Sequence, residues 1–204
     1  MKEYPTIPGY IRNIPIYAFN KLDGSNIRAE WTRKNGFNKF GSRTELIDET
    51  HTFLGEAPAL VRAKYEKELT DVFRKKRYEK VLCFFEFFGS NSFAGNHVAD
   101  EPHEVVLFDV SVYKKGIMPP SVFLELTKTV EIPEVVYTGK CNNAFVEDVR
   151  NMRIPQVIFE GVVCKSNEMK GFGQPIMFKI KTLAWLEKLK DHCGNDKVLY
   201  YNLM

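Results

Sequence analysis

The hydrophobic positions of this chain change period several times, and each change marks an element. Ile27, Ala29 and Trp31 alternate with Arg28, Glu30 and Thr32, which predicts a half-buried strand over 27–32 with a polar outer face. Asn35-Gly36 is a hairpin signal, so a partner strand is expected to end in Phe40-Gly41-Ser42-Arg43. Over 59–76 the period becomes helical: Val61, Tyr65, Leu69, Val72 and Phe73 fall on one side, and Arg62, Lys64, Glu66, Lys67 and Glu68 on the other. Two short runs rich in Val and Phe, 81–88 and 105–113, read as buried strands. Pro119-Pro120 opens a helix over 121–130, since proline is tolerated in a first turn. A further helix is expected over 144–152, closed by Pro155. Strands follow at 157–165 and 176–181, joined through Gly171-Phe172-Gly173, and then a terminal helix over 182–192 with Leu183, Leu186 and Leu189 inward. The first 19 residues hold three prolines and read as an extended lead-in. The sum is an α+β chain: mostly antiparallel strands in two packed sheets with flanking helices, without repeats or a linker.

Composition narrows the class. At 204 residues and 44% hydrophobic, the chain has enough apolar surface for the core of one domain. A net charge of +3 permits nucleic-acid binding without indicating it, because a binding face depends on where charges cluster. Cys83, Cys141, Cys164 and Cys193 have no paired spacing and read as free thiols of a reducing compartment. The four His are scattered, which argues against a zinc site. No signal-type segment opens the chain and no apolar run is long enough to span a membrane. A cytoplasmic protein is expected, in the host cytoplasm if the chain is viral.

Several charged residues sit where apolar patterning should exclude them. Glu86 stands inside Cys83-Phe84-Phe85-Glu86-Phe87-Phe88, and Glu160 between Val157-Ile158-Phe159 and Gly161-Val162-Val163. A carboxylate is not buried unpaired without cost. A structural salt bridge is the plain explanation of each. The functional ones are a ribose hydroxyl for Glu86 and magnesium, which takes oxygen donors, for Glu160. Lys179 and Lys181, two apart in a strand, project together; they either blunt a sheet edge or hold an anion. Lys21-Leu22-Asp23-Gly24-Ser25-Asn26 is either a surface turn or a nucleophilic lysine, activated by desolvation and neighbouring cations.

In chain order, Lys21 to Asn26, Phe84-Phe85-Glu86-Phe87-Phe88-Gly89, Val106-Leu107-Phe108-Asp109-Val110, Glu160-Gly161-Val162-Val163 and Lys179-Ile180-Lys181 resemble the motifs of the covalent nucleotidyltransferases, the ATP-dependent ligases and capping enzymes. The resemblance runs over 20–181 and implies a ligase-type nucleotidyltransferase fold, similar to ATP-grasp. It implies that Lys21 attacks the α-phosphate of ATP, forming lysyl-AMP and releasing pyrophosphate. Asn20, Asp23, Gly24 and Asn26 would lie at the nucleotide, Arg43 and Glu86 at the ribose, and Phe108 on the base. Lys179 and Lys181 would hold the α-phosphate, with Lys165 as a further phosphate contact, and Glu160 would serve Mg2+ or Mn2+. Three lysines at one phosphate are expected to lower each other's pKa.

Asn26 and the Phe-Glu-Phe-Phe-Gly run look like the RNA ligase branch of phage double-strand repair and kinetoplastid editing. Asp23, where that branch commonly has His, looks more like DNA ligases. The activity implied is ATP-dependent RNA ligation in RNA repair, acting on nicked or splinted RNA ends, with DNA as the alternative acceptor. A DNA ligase core, a capping-type guanylyltransferase and a non-catalytic sensor are the competing classes. Only 23 residues follow Lys181, so a stand-alone, monomeric nucleotidyltransferase core over 1–204 is expected. It would lack an OB-fold or helical C-terminal domain, and a partner protein or its own basic residues would grip the nucleic acid.

Overall fold

The computed structural model describes residues 1–90, 100–171 and 173–203. Two antiparallel sheets organise it. The larger is built on β2 (Ser25–Thr32), β3 (Gly36–Gly41), β4 (Leu46–Ile47), β5 (Lys80–Phe88), β6 (Glu104–Val112) and β7 (Gly116–Ile117), ordered β4-β3-β2-β5-β6-β7. The smaller contains β1 (Pro15–Asn20), β8 (Val135–Lys140), β9 (Gly161–Met169) and β10 (Pro175–Lys181), ordered β10-β9-β1-β8. Phe172, in the loop expected between the last two strands, lies outside the described residues.

Helix α1 (Ala57–Lys75) covers one face of the larger sheet. Its Val61, Tyr65, Leu69 and Phe73 bury against Ile27, Ala29, Trp31, Cys83, Phe85 and Leu107. These strand residues alternate, so one face of the sheet meets the helix. Helix α3 (Asn143–Arg150) packs Phe145, Val146 and Val149 against Ile16, Ala18, Val162, Cys164 and Ile180 of the smaller sheet. Asn142 caps it, its side chain accepting from the Phe145 N–H. Helices α4 (Leu183–Cys193) and α5 (Lys197–Leu203) follow β10, with Thr182 capping α4. All four cysteines are buried free thiols. Among the described residues no helix is long and apolar enough to cross a membrane.

Four differences from the sequence pattern bear on the site. Residues 15–20 are not lead-in but β1, an inner strand of the smaller sheet paired on both sides, to β8 and β9. Strand β8 has no period-two pattern to announce it: its residues are half-buried or exposed. Strand β9 begins at Gly161, not 157. Gly161 has φ +113°, and a Cβ there would lie 2.2 Å from the Ile180 carbonyl oxygen, so 157–160 form a turn that ends at Glu160. Helix α2 (Pro120–Leu126) stops four residues short of 130, where Thr127 leaves helical geometry and its hydroxyl donates to the Phe123 carbonyl at 2.8 Å.

Arg28 and Glu30 are also not on a solvated face; they are 3% and 9% exposed. The Arg28 guanidinium donates to the carbonyls of Met1, Ser42 and Glu45, and Glu30 pairs with Lys80 at 2.7 Å. The N-terminal segment lies over this second face. Met1, Tyr4 and Ile7 pack there with Leu82, Phe84, Phe108, Ile117 and Met177.

Candidate active site

A cleft of about 630 Å³ opens where the two sheets meet. Its walls include Asn20, Lys21, Asp23, Gly24, Asn26, Arg43, Glu86, Phe108, Glu160, Lys165, Lys179 and Lys181. Strand β9 explains the convergence. It lies between β1 and β10, with Asn20 opposite Val162 on one side and Lys181 opposite Gly161 on the other. The Lys21 N–H donates to the Gly161 carbonyl at 2.9 Å. Lys21, Glu160 and Lys181 therefore arrive together from three chain segments.

Glu160, 4% exposed, takes both ammonium groups on one oxygen. Lys21 Nζ lies 2.8 Å from its Oε1, and Lys181 Nζ bonds the same atom. Its Oε2 is buried with no hydrogen-bond partner among the described residues. Asn20 holds the turn that presents Glu160: its amide donates to the Gln156 carbonyl at 2.9 Å and accepts from the Ile158 N–H at 3.1 Å. Gly24 is required on the other side. A Cβ there would meet the Phe87 carbonyl oxygen at 2.3 Å, and this closeness lets the Gly24 N–H reach the Glu86 carboxylate. Asn26 stands opposite Glu86 across the β2–β5 ladder, its Oδ1 buried and without a partner among the described residues.

Electrostatics separate the lysines. Burial pulls Lys21 down, but Glu160 and Glu86 outweigh it, so its ammonium is held above the usual lysine value. Burial and then Lys21 pull Lys181 down to about 8, against Glu160. Lys179 is lowered for the same two reasons, burial and then Lys21. The expected mutual lowering thus holds for the β10 pair and is corrected for Lys21, because the carboxylates crowd around that residue. Glu86 is pushed up to about 7 by burial, with Lys21 opposing.

Phe108 reaches the cleft through a bulge. Phe84 pairs with Asp109 and Phe85 with Leu107, which leaves Phe108 as the extra residue, and a bulge re-aims its side chain. The ring meets Tyr4 edge-on at 5.0 Å and stacks on Phe84 at 6.4 Å. Lys165, 2% exposed, donates to the Phe108 carbonyl at 2.6 Å and pairs with Asp109 at 2.9 Å. Tyr4 donates its hydroxyl to the same carboxylate. Arg43 is exposed and donates to the Thr6 hydroxyl at 3.0 Å, and the Lys179 N–H donates to the Pro8 carbonyl. The N-terminal residues had no signal beyond their prolines, and Asp109 none beyond its place after Phe108. Trp185 also lines the cleft; it shares the buried side of α4 with Leu189 and so passes for core, whereas Leu183, expected inward, lies on the opposite side and is 45% exposed.

The donor set fits one divalent ion only in part from protein. Among the described residues no group of three or more His, Cys, Asp and Glu could hold a metal. Magnesium and manganese sites of substrate phosphates commonly use one or two carboxylates, with phosphate oxygens and water completing the shell. Glu160, with an unpartnered buried oxygen, meets that requirement.

Two antiparallel sheets meeting at a lysine-lined cleft make the nucleotidyltransferase fold found in RNA ligases. The chain belongs to the RNA ligase family, whose model it matches over residues 14–181. Among solved structures it is similar to the Naegleria gruberi RNA ligase with PPi, at 18% identity and TM-score 0.64, covering 88% of this chain and 53% of that one. A mutant of the same ligase with ATP and Mn gives 19% identity and TM-score 0.65, with 88% and 53% covered. Another, with AMP and Mn, gives 19% and 0.62 over the same shares, 88% and 53%. The chain spans about half the length of these ligases. No curated protein matches its sequence.

Proposed function

We propose that this chain is the nucleotidyltransferase core of an ATP-dependent RNA ligase, joining a 3′-hydroxyl to a 5′-phosphate through lysyl-AMP. The observation that carries the reading is the meeting of Lys21, Lys181 and Glu160 at Gly161, inside a cleft shared with Lys179, Glu86 and Phe108. Family membership and the Naegleria structures with ATP or AMP and Mn support the choice of nucleotide and of a divalent ion.

In this reading Phe108 packs on the adenine, Arg43 and Glu86 bind the ribose, and Lys179 and Lys181 flank the α-phosphate. Asn20, Asp23, Gly24 and Asn26 set the position of Lys21. Lys165 lines the same cleft, and its ammonium must leave Asp109 to touch a phosphate. Lys21 is a nucleophile only as the neutral amine. It therefore passes a proton to water and gives up its pairing with Glu160 before its Nζ–P bond forms and the P–O bond to pyrophosphate breaks. A divalent cation at Glu160 would supply positive charge that offsets the carboxylate and the transferring phosphoryl group. The β10 lysines stay beside that group and neutralise the charge developing on it. AMP then passes to an RNA 5′-phosphate, and a 3′-hydroxyl displaces it. The chain works as a monomer on RNA ends in the cytoplasm.

The test is incubation with α-labelled ATP and a divalent metal, followed by a denaturing gel. Covalent label is expected on the wild type and on Lys34→Ala, which lies in the hairpin turn, and none on Lys21→Ala. Label that survives Lys21→Ala overturns the nucleophile, and label from GTP alone replaces the ligase with a capping-type enzyme.

A further inference from the structure

The Lys181 ammonium has two neighbours of different kinds. One is Glu160. The other is the indole of Trp185, whose ring centroid lies 3.5 Å from Lys181 Nζ. Trp185 is 2% exposed and belongs to α4, immediately after β10. Two bonds of Thr182 set its position: the Trp185 N–H donates to the Thr182 hydroxyl oxygen at 3.1 Å, and that hydroxyl donates to the Phe159 carbonyl at 2.6 Å. Phe159 directly precedes Glu160, so one hydroxyl ties the indole to the turn that presents the carboxylate. Leu189 and Cys193 back the ring, with Phe159, Leu186 and Tyr200 packed around them.

The indole Nε1–H is buried and has no acceptor among the described residues. A side chain chosen only to fill this space would not carry an unpaired donor, since phenylalanine or leucine fills it without one. What indole offers over both is the strongest π-face for a cation, and the contact gains when the cation is desolvated. Lys181 is such a cation, its side chain 8% exposed.

We propose that Trp185 is a positioning residue for the nucleotidyl-transfer step: its ring holds the Lys181 ammonium at the α-phosphate site when Lys21 and Glu160 separate. The inference rests on the ligase reading, in which Lys181 serves that phosphate. Glu160 cannot by itself keep Lys181 in place through the reaction, because it must also release Lys21. A neutral aromatic face attracts the ammonium without competing with the phosphate for its charge.

The test measures the single-turnover rate of covalent labelling from α-labelled ATP, as a function of ATP concentration, for wild type, Trp185→Phe and Trp185→Leu. Trp185→Leu is expected to slow the rate at saturating ATP by about tenfold. The ATP concentration for half-maximal rate should stay within about threefold, since what is lost is the alignment of Lys181 with the charge that develops in the transition state, not the binding of ATP itself. Trp185→Phe, which keeps a π-face, should recover most of the rate. A purely structural indole predicts instead that both variants label at the wild-type rate once folded, and that result overturns the proposal. A readout independent of activity is the indole emission. Lys181→Met should shift the emission of the wild-type protein and leave that of Trp185→Phe unchanged. Trp31, the other tryptophan, is fully buried against α1 and bonded to Thr70, so it is a constant background. If Trp185→Leu fails to fold, this comparison decides, and an emission indifferent to Lys181→Met overturns the proposal. Absence of label on the wild type itself would instead defeat the ligase reading on which the inference stands.

Discussion

Glu86 is a cleft carboxylate buried at a cost to the fold. Burial raises it to about 7, so the folded chain binds its proton more tightly than the unfolded chain does. Stability is then lost as pH rises from the usual carboxylate range through about 7, and the loss is complete above that. Glu86→Gln removes the charge and leaves an oxygen to accept from Gly24. Its melting temperature is expected to exceed the wild type's at pH 8 and to match it at pH 4, while nucleotide labelling falls; an equal difference at both pH values refutes the argument. Phe108 makes the second case at this scale. Base stacking contributes about 1–3 kcal/mol, so Phe108→Ala should raise the ATP requirement about 10- to 100-fold. An unchanged requirement in a folded variant places the ring in the core beside Tyr4 and Phe84. The sequence made the anomalous carboxylates visible, since Glu86 and Glu160 interrupt apolar runs. It did not make the charge state of Lys21 visible, because that depends on Glu160 and Glu86, which lie 139 and 65 positions away.

Elements with a strong period were legible and those without one were not. Helix α1 and strands β5 and β6 fall within two residues of expectation because their apolar positions repeat. Strand β1 hides behind Pro5, Pro8 and Pro15, and β8 has no buried face of its own to signal. The N-terminal segment was the least legible. It has no regular structure, yet it touches three site residues: Tyr4 meets Phe108, Thr6 accepts from Arg43, and the Pro8 carbonyl accepts from the Lys179 N–H. Tyr4→Phe keeps the ring on Phe84 and Phe108 and removes the hydroxyl that donates to Asp109. Loss of a buried bond to a carboxylate should cost about 1–3 kcal/mol in urea unfolding. Tyr4→Ala should in addition weaken ATP use, since Phe108 loses its edge contact. Equal ATP dependence of the two variants would show that the ring does not support the base site.

At the scale of the molecule, two sheets were anticipated, but the reason they meet at the site was not. The link is short: β1 ends at Asn20 and β2 begins at Ser25, so the candidate nucleophile sits on the strap from one sheet to the other. For the proposed ligase, phosphate contacts dominate affinity for RNA. With a net charge of +3, few phosphates are neutralised. Binding of RNA-containing nicks is therefore expected to be weak, and sealing to decline with salt at the shallow slope that a few phosphate contacts give. Strong sealing of all-DNA nicks would overturn the RNA assignment, and a steep salt dependence would overturn the charge argument.

The pairing of Lys21 with Glu160 has a consequence outside the reaction itself. Cells contain aldehydes, reducing sugars and activated acyl groups that modify free amines, and a neutral lysine in an open cleft would be an easy target. An ammonium has no lone pair to offer them. Lys21 is 24% exposed and held charged at 2.8 Å from a carboxylate, so it is chemically silent in this arrangement. In the proposed ligase its reactivity would be released by the arrival of the groups that compete for Glu160, and a resting molecule would be spared the slow poisoning that a permanently activated amine suffers.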